Sequence, residues 1–179
     1  MKITREWDMP NADTFSIPTI GAFVKRYLLK SKCSVDPFAR NKRWATHTND
    51  LNPETAATHH LEAEEFLKML AGQNVKADCF IFDPPYSPRQ LKECYDGIGK
   101  KMQMEDGQTA RLRSIWRDAA MPLLTDDAVV LSFGWNTVGF GKVLGFEIEE
   151  IMLVCHGADH NDTICMAEKR LQKDAELNL

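Results

Sequence analysis

The chain has 179 residues, of which 44% are hydrophobic and 27% are charged. This length and composition are ordinary for a soluble globular protein and predict one domain over residues 1–179, with a polar tail at 170–179. The formal net charge of −4 argues against a protein that coats nucleic acid nonspecifically, but local clusters of Lys and Arg are compatible with a basic face.

The chain carries no membrane, secretion or metal signal. No apolar run approaches the roughly 20 residues of a membrane span, and the segment Met1–Asp8 lacks the apolar stretch of a signal peptide. The five cysteines show no C-x-x-C spacing and are expected to be reduced, in a cytoplasmic protein without a metal site. His156, Asp159, His160 and Asp162 lie in one short segment that a hairpin turn explains better than metal ligation.

Hydrophobic periodicity predicts alternating helices and strands. Helical patterns cover 17–29, 63–71, 88–95 and 110–124, and strand patterns cover 34–38, 44–51, 77–82, 128–133, 146–155 and 163–169. Residues 96–108 are polar, contain glycine and predict a mobile loop. Because helix and strand alternate up to the last two strands, we expect an α/β fold: a doubly wound, mostly parallel sheet flanked by helices, with a C-terminal antiparallel hairpin.

The predicted strand 77–82 runs directly into Asp83-Pro84-Pro85-Tyr86. The Asp83 carboxylate and the Pro84 carbonyl can each accept one N–H of an amine, which would orient the nitrogen lone pair. Two successive prolines fix φ and remove two donors, so a turn does not occupy that carbonyl. Tyr86 offers a flat face on which an extruded base could stack.

An apolar strand that ends in Asp-Pro-Pro-Tyr resembles the catalytic motif of S-adenosylmethionine-dependent amino-methyltransferases, above all those acting on the N6 amine of adenine in DNA. The resemblance implies a Rossmann-like fold, S-adenosylmethionine as cofactor, DNA as partner, and base flipping into a pocket formed by Asp83, Pro84, Pro85 and Tyr86. The sequence shows no separate target-recognition region, and in this it resembles the small methyltransferases of phages and prophages. That resemblance would place the protein in the host cytoplasm. This resemblance is compatible with low sequence specificity, with a partner that supplies the specificity, and with a homodimer.

The predicted strand 34–38 contains Asp36-Pro37-Phe38, which resembles the first cofactor motif of this family and implies that these three residues bind the cofactor. The sequence departs from the family at Arg40-Asn41-Lys42, where Gly-x-Gly is usual. We expect Asn41 to preserve the turn, because Asn tolerates the left-handed region better than most residues. The alternative is that Asp36-Pro37 merely ends a strand.

Three further segments resemble cofactor-binding regions of the family. Asp50 follows the second predicted strand, and the resemblance implies that it binds the ribose hydroxyls; the alternative is a cap for a helix starting near Pro53, although Asn52 is better placed for that cap. Glu62 is the candidate near the cofactor adenine, and its alternative is a first-turn acid favoured by the helix dipole. The full set of predicted cofactor contacts is Phe15, Ser16, Ile17, Asp36, Pro37, Phe38, Asn49, Asp50, Leu51, Glu62, Ala63 and Asp83.

The segment Phe15-Ser16-Ile17 resembles the one that covers the methionine end of the cofactor in this family; the alternative is a helix entry capped by Ser16 or Thr19. On the substrate side, Trp135 and Asn136 follow the predicted strand 128–133 and should share the rim of Asp83. Trp135 either stacks on the target base, together with Tyr86, or packs in the core.

Two lysines, Lys100 and Lys101, are predicted to contact DNA phosphates; the alternative is that they are solvated loop residues.

Two other functions stay open at this point. One keeps the cofactor and changes the substrate to cytosine N4 or to adenine in RNA, although Asp83 favours adenine because cytosine-N4 relatives more often have Ser there. The other is a catalytically weak binding subunit that has lost its glycine-rich turn and serves a partner.

Overall fold

One mixed sheet organises the computed structural model, which describes residues 1–100, 109–157 and 160–172. In these ranges the sheet has seven strands in the order β1-β6-β7-β5-β4-β2-β3. All neighbours pair in parallel except those of β7, which runs antiparallel to both β5 and β6. The strands are β1 (Lys2–Trp7), β2 (Ser34–Asp36), β3 (His47–Thr48), β4 (Ala77–Phe82), β5 (Leu124–Gly134), β6 (Phe146–Cys155) and β7 (Thr163–Arg170).

Helices cover both faces of this sheet: α1 (Pro18–Leu28), α2 (Ala63–Gly72), α3 (Pro88–Gly97) and α4 (Thr109–Ala120). Alternate side chains of a strand point to opposite faces, so β4 is apolar where both of its faces are covered, from Cys79 to Phe82. Phe80 packs with α2 and α4, whereas Ile81 packs with α1. The predicted doubly wound architecture with its C-terminal antiparallel hairpin is confirmed. No helix in the described ranges is long and apolar enough to cross a membrane.

Several element boundaries differ from the predictions. The second strand is only His47–Thr48, much shorter than 44–51, because Trp44 packs against Phe15 and Asn49 already turns to bind neighbouring loops. Helix α4 ends at Ala120 rather than 124, and a single 3-10 turn containing Pro122 leads into a longer β5. Residues 101–108 of the predicted mobile loop and 173–179 of the predicted tail lie outside the described residues.

Strand β1 was not predicted at all. It is an edge strand with mostly exposed side chains, so its sequence shows no buried period. Strand β1 pairs with β6, and the first pair joins Lys2 to Glu150, two residues that are separated by most of the sequence.

Glu150 anchors this N-terminal strand. It is 4% exposed and accepts hydrogen bonds from Lys2 Nζ at 3.1 Å, Arg26 Nη2 at 3.0 Å and the Tyr27 hydroxyl at 2.8 Å. Burial alone would raise the pKa of Glu150, but the hydrogen bonds from Arg26, Tyr27 and Lys2 outweigh it and lower this pKa to about 2. One carboxylate therefore holds β1 and α1 to the sheet.

Replacing Glu150 by Ala should lower the free energy of unfolding by about 1–3 kcal/mol, since buried hydrogen bonds to a charged group are removed. The folded-state pKa is lower than the ordinary value, so the stabilisation is present above that ordinary value, 4.5, and is lost as the pH falls towards 2. The free energies of unfolding of the parent and of Glu150→Ala, measured with urea, should therefore converge at acid pH. Glu149→Ala, at an exposed neighbouring position, is the control; a difference independent of pH would contradict the assignment.

Candidate active site

A cleft of about 600 Å³ opens where the strand order reverses. Strand β2 pairs with β3 on one side and with β4 on the other, so the loops that leave β2 and β4 separate at the carboxyl edge of the sheet. Ligands of open α/β sheets bind at such a switch point, and the volume lies in the usual range for ligand sites. Residues that follow β2, β3 and β4 line this cleft, among them Pro37, Asp50, Glu62 and Asp83.

The turn after β4 brings all four residues of Asp83-Pro84-Pro85-Tyr86 to the cleft. The Tyr86 hydroxyl donates a hydrogen bond to Asp83 Oδ1 at 2.5 Å. The Tyr86 backbone N–H donates to Gln90 Oε1 at 2.6 Å, and Ser87 Oγ accepts from the Gln90 backbone N–H at the first turn of α3. The helix start therefore fixes the turn, and the Tyr86–Asp83 bond is a contact that sequence reasoning missed.

Burial sets the protonation of this pair. It raises the pKa of Asp83 to about 6, although hydrogen bonds from Tyr86 and Thr14 and the charges of Arg40 and Arg113 act in the opposite direction. Burial also raises the pKa of Tyr86 well above its usual value, and the Asp83 charge adds to that effect. At neutral pH most molecules therefore hold an ionised Asp83 and a protonated Tyr86.

The end of β2 places Pro37 and Phe38, but not the Asp36 carboxylate, on the cleft wall. Asp36 is 1% exposed and accepts a hydrogen bond from the Phe38 backbone N–H at 3.0 Å. Burial raises its pKa well above the ordinary value, and repulsion from Asp83 and Asp50 adds to this. The Asp36 side chain therefore shapes the turn beneath the cleft, and its predicted contact with the cofactor stays a prediction.

The turn that departs from Gly-x-Gly does survive, but not through Asn41 as expected. Arg40 adopts the left-handed conformation, with φ of 48°. Asn41 Oδ1 instead accepts a hydrogen bond from the Ala56 backbone N–H at 3.0 Å. The Arg40 Nη1 donates to the Ala12 carbonyl at 2.5 Å, which ties the turn to the N-terminal segment.

Asp50 and Leu51 line the cleft beyond β3, and their contact with the cofactor stays a prediction. Asp50 Oδ2 accepts from the Arg40 backbone N–H at 3.0 Å and Oδ1 accepts from the Asn52 backbone N–H at 2.9 Å. A carboxylate has about four acceptor positions, so both oxygens can still accept hydroxyl donors. Residues 53–56 form turns and bends, so the alternative of a helix starting near Pro53 is wrong.

Asn49 joins three of the loops around the cleft. Its Nδ2 donates to the carbonyls of Pro37 at 3.2 Å and Leu61 at 3.0 Å, and its Oδ1 accepts from the Leu61 backbone N–H at 2.9 Å. Asn49 lines the cleft, and the contacts of its amide are to the protein backbone. Its contact with the cofactor stays a prediction.

Glu62 and Ala63 also line the cleft, at the start of α2. Glu62 makes no capping hydrogen bond; its carboxylate forms an ion pair with Lys100, whose Nζ lies 5.0 Å from the centre of the Tyr95 ring. Lys100, predicted to contact DNA phosphate, is therefore paired with an acid in this structure. Lys101 lies outside the described residues.

The N-terminal segment contributes different residues from those predicted. Phe15 and Ile17 are buried, and Phe15 packs on Phe133 with ring centres 5.1 Å apart. Ala12 and Thr14 line the cleft, and the Thr14 side chain acts to lower the pKa of Asp83.

The entry to α1 is also different. Ser16 Oγ accepts from Lys42 Nζ at 2.8 Å rather than capping the helix. Ile17 is the N-cap residue of α1, and the Asp8 side chain caps the helix by accepting the Thr19 backbone N–H at 3.0 Å. The alternative in which Ser16 or Thr19 is the cap is therefore wrong.

Trp135 lies on the rim of Asp83, where it was expected. Its side chain is 45% exposed, which rejects the core alternative, and its ring meets Tyr86 edge to face at 5.7 Å between centres. Asn136 Oδ1 accepts from the Val138 backbone N–H at 3.0 Å and shapes the turn after β5. Stacking on a target base stays a prediction for both Tyr86 and Trp135.

His156 has structural partners in the hairpin region. Its Nδ1 lies 2.9 Å from the Asp8 carbonyl oxygen and its Nε2 lies 2.9 Å from Thr163 Oγ1. In the part of the chain that the structure describes, no three His, Cys, Asp or Glu side chains gather as a metal site would require. Asp159 lies outside that part.

Comparisons with known proteins show similarity in structure only. No family model and no curated protein matches the sequence. TrmN from Thermus thermophilus superposes with a TM-score of 0.57 at 14% identity over 87% of this chain and 49% of its own. NSun6 from Pyrococcus horikoshii gives 0.56 at 12% identity over 92% and 53%. A putative SAM-dependent methyltransferase from Streptococcus mutans gives 0.51 at 12% identity over 82% and 48%.

The chain thus spans about half the length of each of these three proteins. Identities this low establish the fold and leave the activity to be argued from the site. The protein has the Rossmann-like fold found in methyltransferases, with its cleft at the switch point between β2 and β4.

Proposed function

We propose that the protein transfers a methyl group from S-adenosylmethionine to the N6 amine of adenine in DNA. The observation that carries the proposal is the position of Asp83-Pro84-Pro85-Tyr86, which opens onto the cleft at the carboxyl end of β4, across from Asp50 beyond β3. The shared fold with a putative SAM-dependent methyltransferase from Streptococcus mutans supports the same chemistry.

The residues of the cleft fit this cofactor. Asp50 has free acceptor positions for the two ribose hydroxyls, and the Phe38, Leu61 and Trp116 side chains supply apolar wall for an adenine ring. Bound there, S-adenosylmethionine supplies an electrophilic methyl group on a sulfonium.

Asp83 and Pro84 would act on the acceptor amine. The lone pair of this amine is delocalised into the adenine ring, which makes it a poor nucleophile. An ionised Asp83 accepts one N–H and the Pro84 carbonyl accepts the other, so that the lone pair is directed out of the ring plane. With a pKa of about 6, Asp83 can also hold the proton that the amine releases and pass it to water.

Tyr86 and Trp135 would hold the base outside the helix stack. Their rings form an edge-to-face pair beside Asp83, and Trp135 is largely open to solvent. An extruded base requires an aromatic surface next to the reacting group, because stacking on these rings replaces the stacking on neighbouring bases in the duplex.

The proposal is tested by incubating the protein with methyl-labelled cofactor and mixed DNA and RNA, followed by nucleoside analysis. Labelled N6-methyladenine from DNA is the expected product. Label in RNA, or in N4-methylcytosine, would overturn the proposed substrate. No cofactor binding at millimolar concentration would overturn catalysis and favour a binding subunit.

Asp83→Ala and Asp83→Asn should both abolish methyl transfer, because the first removes both acceptor oxygens and the second replaces one with a donor. Cofactor affinity measured by calorimetry should change little, since the carboxylate is assigned to the acceptor amine. Asp118→Asn, an exposed position on α4, is the matched control. Turnover retained in both Asp83 variants would refute the mechanism.

The pH dependence should report Asp83. Its ionised form is the acceptor, so kcat/KM should rise with pH through about 6. Tyr86→Phe removes a donor that favours the ionised form and should move this acid limb to higher pH, while turnover at alkaline pH survives because the ring still stacks. Tyr86→Ala should lose turnover at every pH, and more on duplex than on single strands. If the acid limb of the profile does not shift in Tyr86→Phe, the Tyr86 hydroxyl does not control the ionisation of Asp83.

Asp50→Asn should weaken cofactor binding by about 1–3 kcal/mol, the scale for losing hydrogen bonds to a charged group. The amide oxygen can still accept one backbone N–H of the turn, so the fold should persist. Calorimetry compares this variant with Glu54→Gln, an exposed neighbour in the same loop. Equal dissociation constants in parent and Asp50→Asn would assign the ribose to another residue.

A further inference from the structure

Arg113 is a half-buried cation beside the proposed catalytic turn, and the mechanism above assigns it no contact with the substrate. It lies on α4, and its Cζ is 5.7 Å from the centre of the Phe82 ring at the end of β4. A Cβ atom placed on Gly134 would lie 3.9 Å from Arg113 Nη2 and 3.9 Å from Tyr86 Cδ1. The guanidinium therefore lies among Phe82, Tyr86 and the end of β5.

Apart from its contact with the Phe82 ring, the guanidinium has no hydrogen-bond or ion-pair partner among the residues that the structure describes. Its Nε is buried without a hydrogen-bond acceptor, and none of the ion pairs among the described residues includes Arg113. The Nε of Arg117, one turn later on α4, is also buried without an acceptor, but the Nη1 of Arg117 donates to the Gly139 carbonyl at 2.6 Å.

Leaving a buried charge without a partner is costly, so such groups are normally paired or hydrogen-bonded. Burial lowers the pKa of Arg113, while the nearby Tyr86 and Asp83 act in the opposite direction. A ligand that brings negative charge would remove this cost. A guanidinium is also suited to phosphate, which it can bind through two parallel hydrogen bonds.

The position of Arg113 indicates the substrate side of the site. The cleft for the proposed cofactor lies between β2 and β4, whereas Arg113 borders β5, on the opposite side of β4. A nucleotide held by Tyr86 and Trp135 would bring its flanking phosphates to this same rim.

We propose that Arg113 binds a phosphate group adjacent to the target nucleotide and so places the base against Asp83. The inference rests on the proposed function, because it takes the substrate to be a nucleic acid strand.

Binding of short single-stranded DNA tests this. The probe has one adenine in a random context of the other three bases. Arg113→Gln should weaken binding on the order of tenfold to a hundredfold and reduce the log–log salt slope by about 0.7, as expected when one phosphate contact to a single strand is removed. Arg113→Lys keeps the charge but lacks the planar guanidinium, so its affinity for the probe should lie between those of the parent and of Arg113→Gln. Arg111→Gln, exposed on the same helix, should behave as the parent.

A second probe carries an uncharged methylphosphonate at the linkage on one or the other side of that adenine. At one of the two positions the parent should lose affinity and Arg113→Gln should not, because the variant no longer contacts that phosphate. Circular dichroism and cofactor calorimetry should be unchanged in the variants. If the parent methylates the DNA but Arg113→Gln binds both probes with parental affinity, the inference is wrong and the proposed function stands. If the parent neither binds nor methylates DNA, both are wrong.

Discussion

The parallel pairing of β4 between β2 and β5 is the constraint on which the rest of the structure depends. Val35 pairs with Phe80 on one side and Phe82 pairs with Ser132 on the other. Parallel strands end at the same edge, so this register places the turn after β4 next to the turn after β2. The cleft exists because the chain leaves β2 towards β3 and returns on the other side as β4.

The same constraint gathers acids. Asp36, Asp50 and Asp83 come from three strand ends and meet at one edge, where burial and repulsion from the other two acids raise the pKa of Asp36. The site separates their roles by environment. Asp36 is sealed beneath a turn, and Asp50 is held by two backbone N–H groups. Burial raises the pKa of Asp83 to about 6, while Tyr86, Thr14, Arg40 and Arg113 act in the opposite direction.

The turn at residues 40–42 shows how a departure from a glycine-rich motif is accommodated. A left-handed conformation costs a non-glycine residue about 1–2 kcal/mol, and Arg40 adopts it. The side chains that glycine would lack make new contacts: Arg40 donates to the Ala12 carbonyl, and Lys42 donates to Ser16 and pairs with Asp13. Those contacts hold the N-terminal segment, from which Thr14 reaches Asp83.

The sequence by itself determined the local features of this protein. The apolar run at 77–82 coincides with β4, and the Asp83-Pro84-Pro85-Tyr86 turn could be placed at its end, because strand and turn signals lie within a few residues of each other. Tertiary structure alone decided the rest. Strand β1 pairs with residues almost 150 positions away, and the partners of Tyr86, Thr14 and Arg113 depend on which loops and helices the sheet order brings together. Neither strand pairing over such sequence separations nor the burial of a single charged side chain produces a periodic pattern in the sequence.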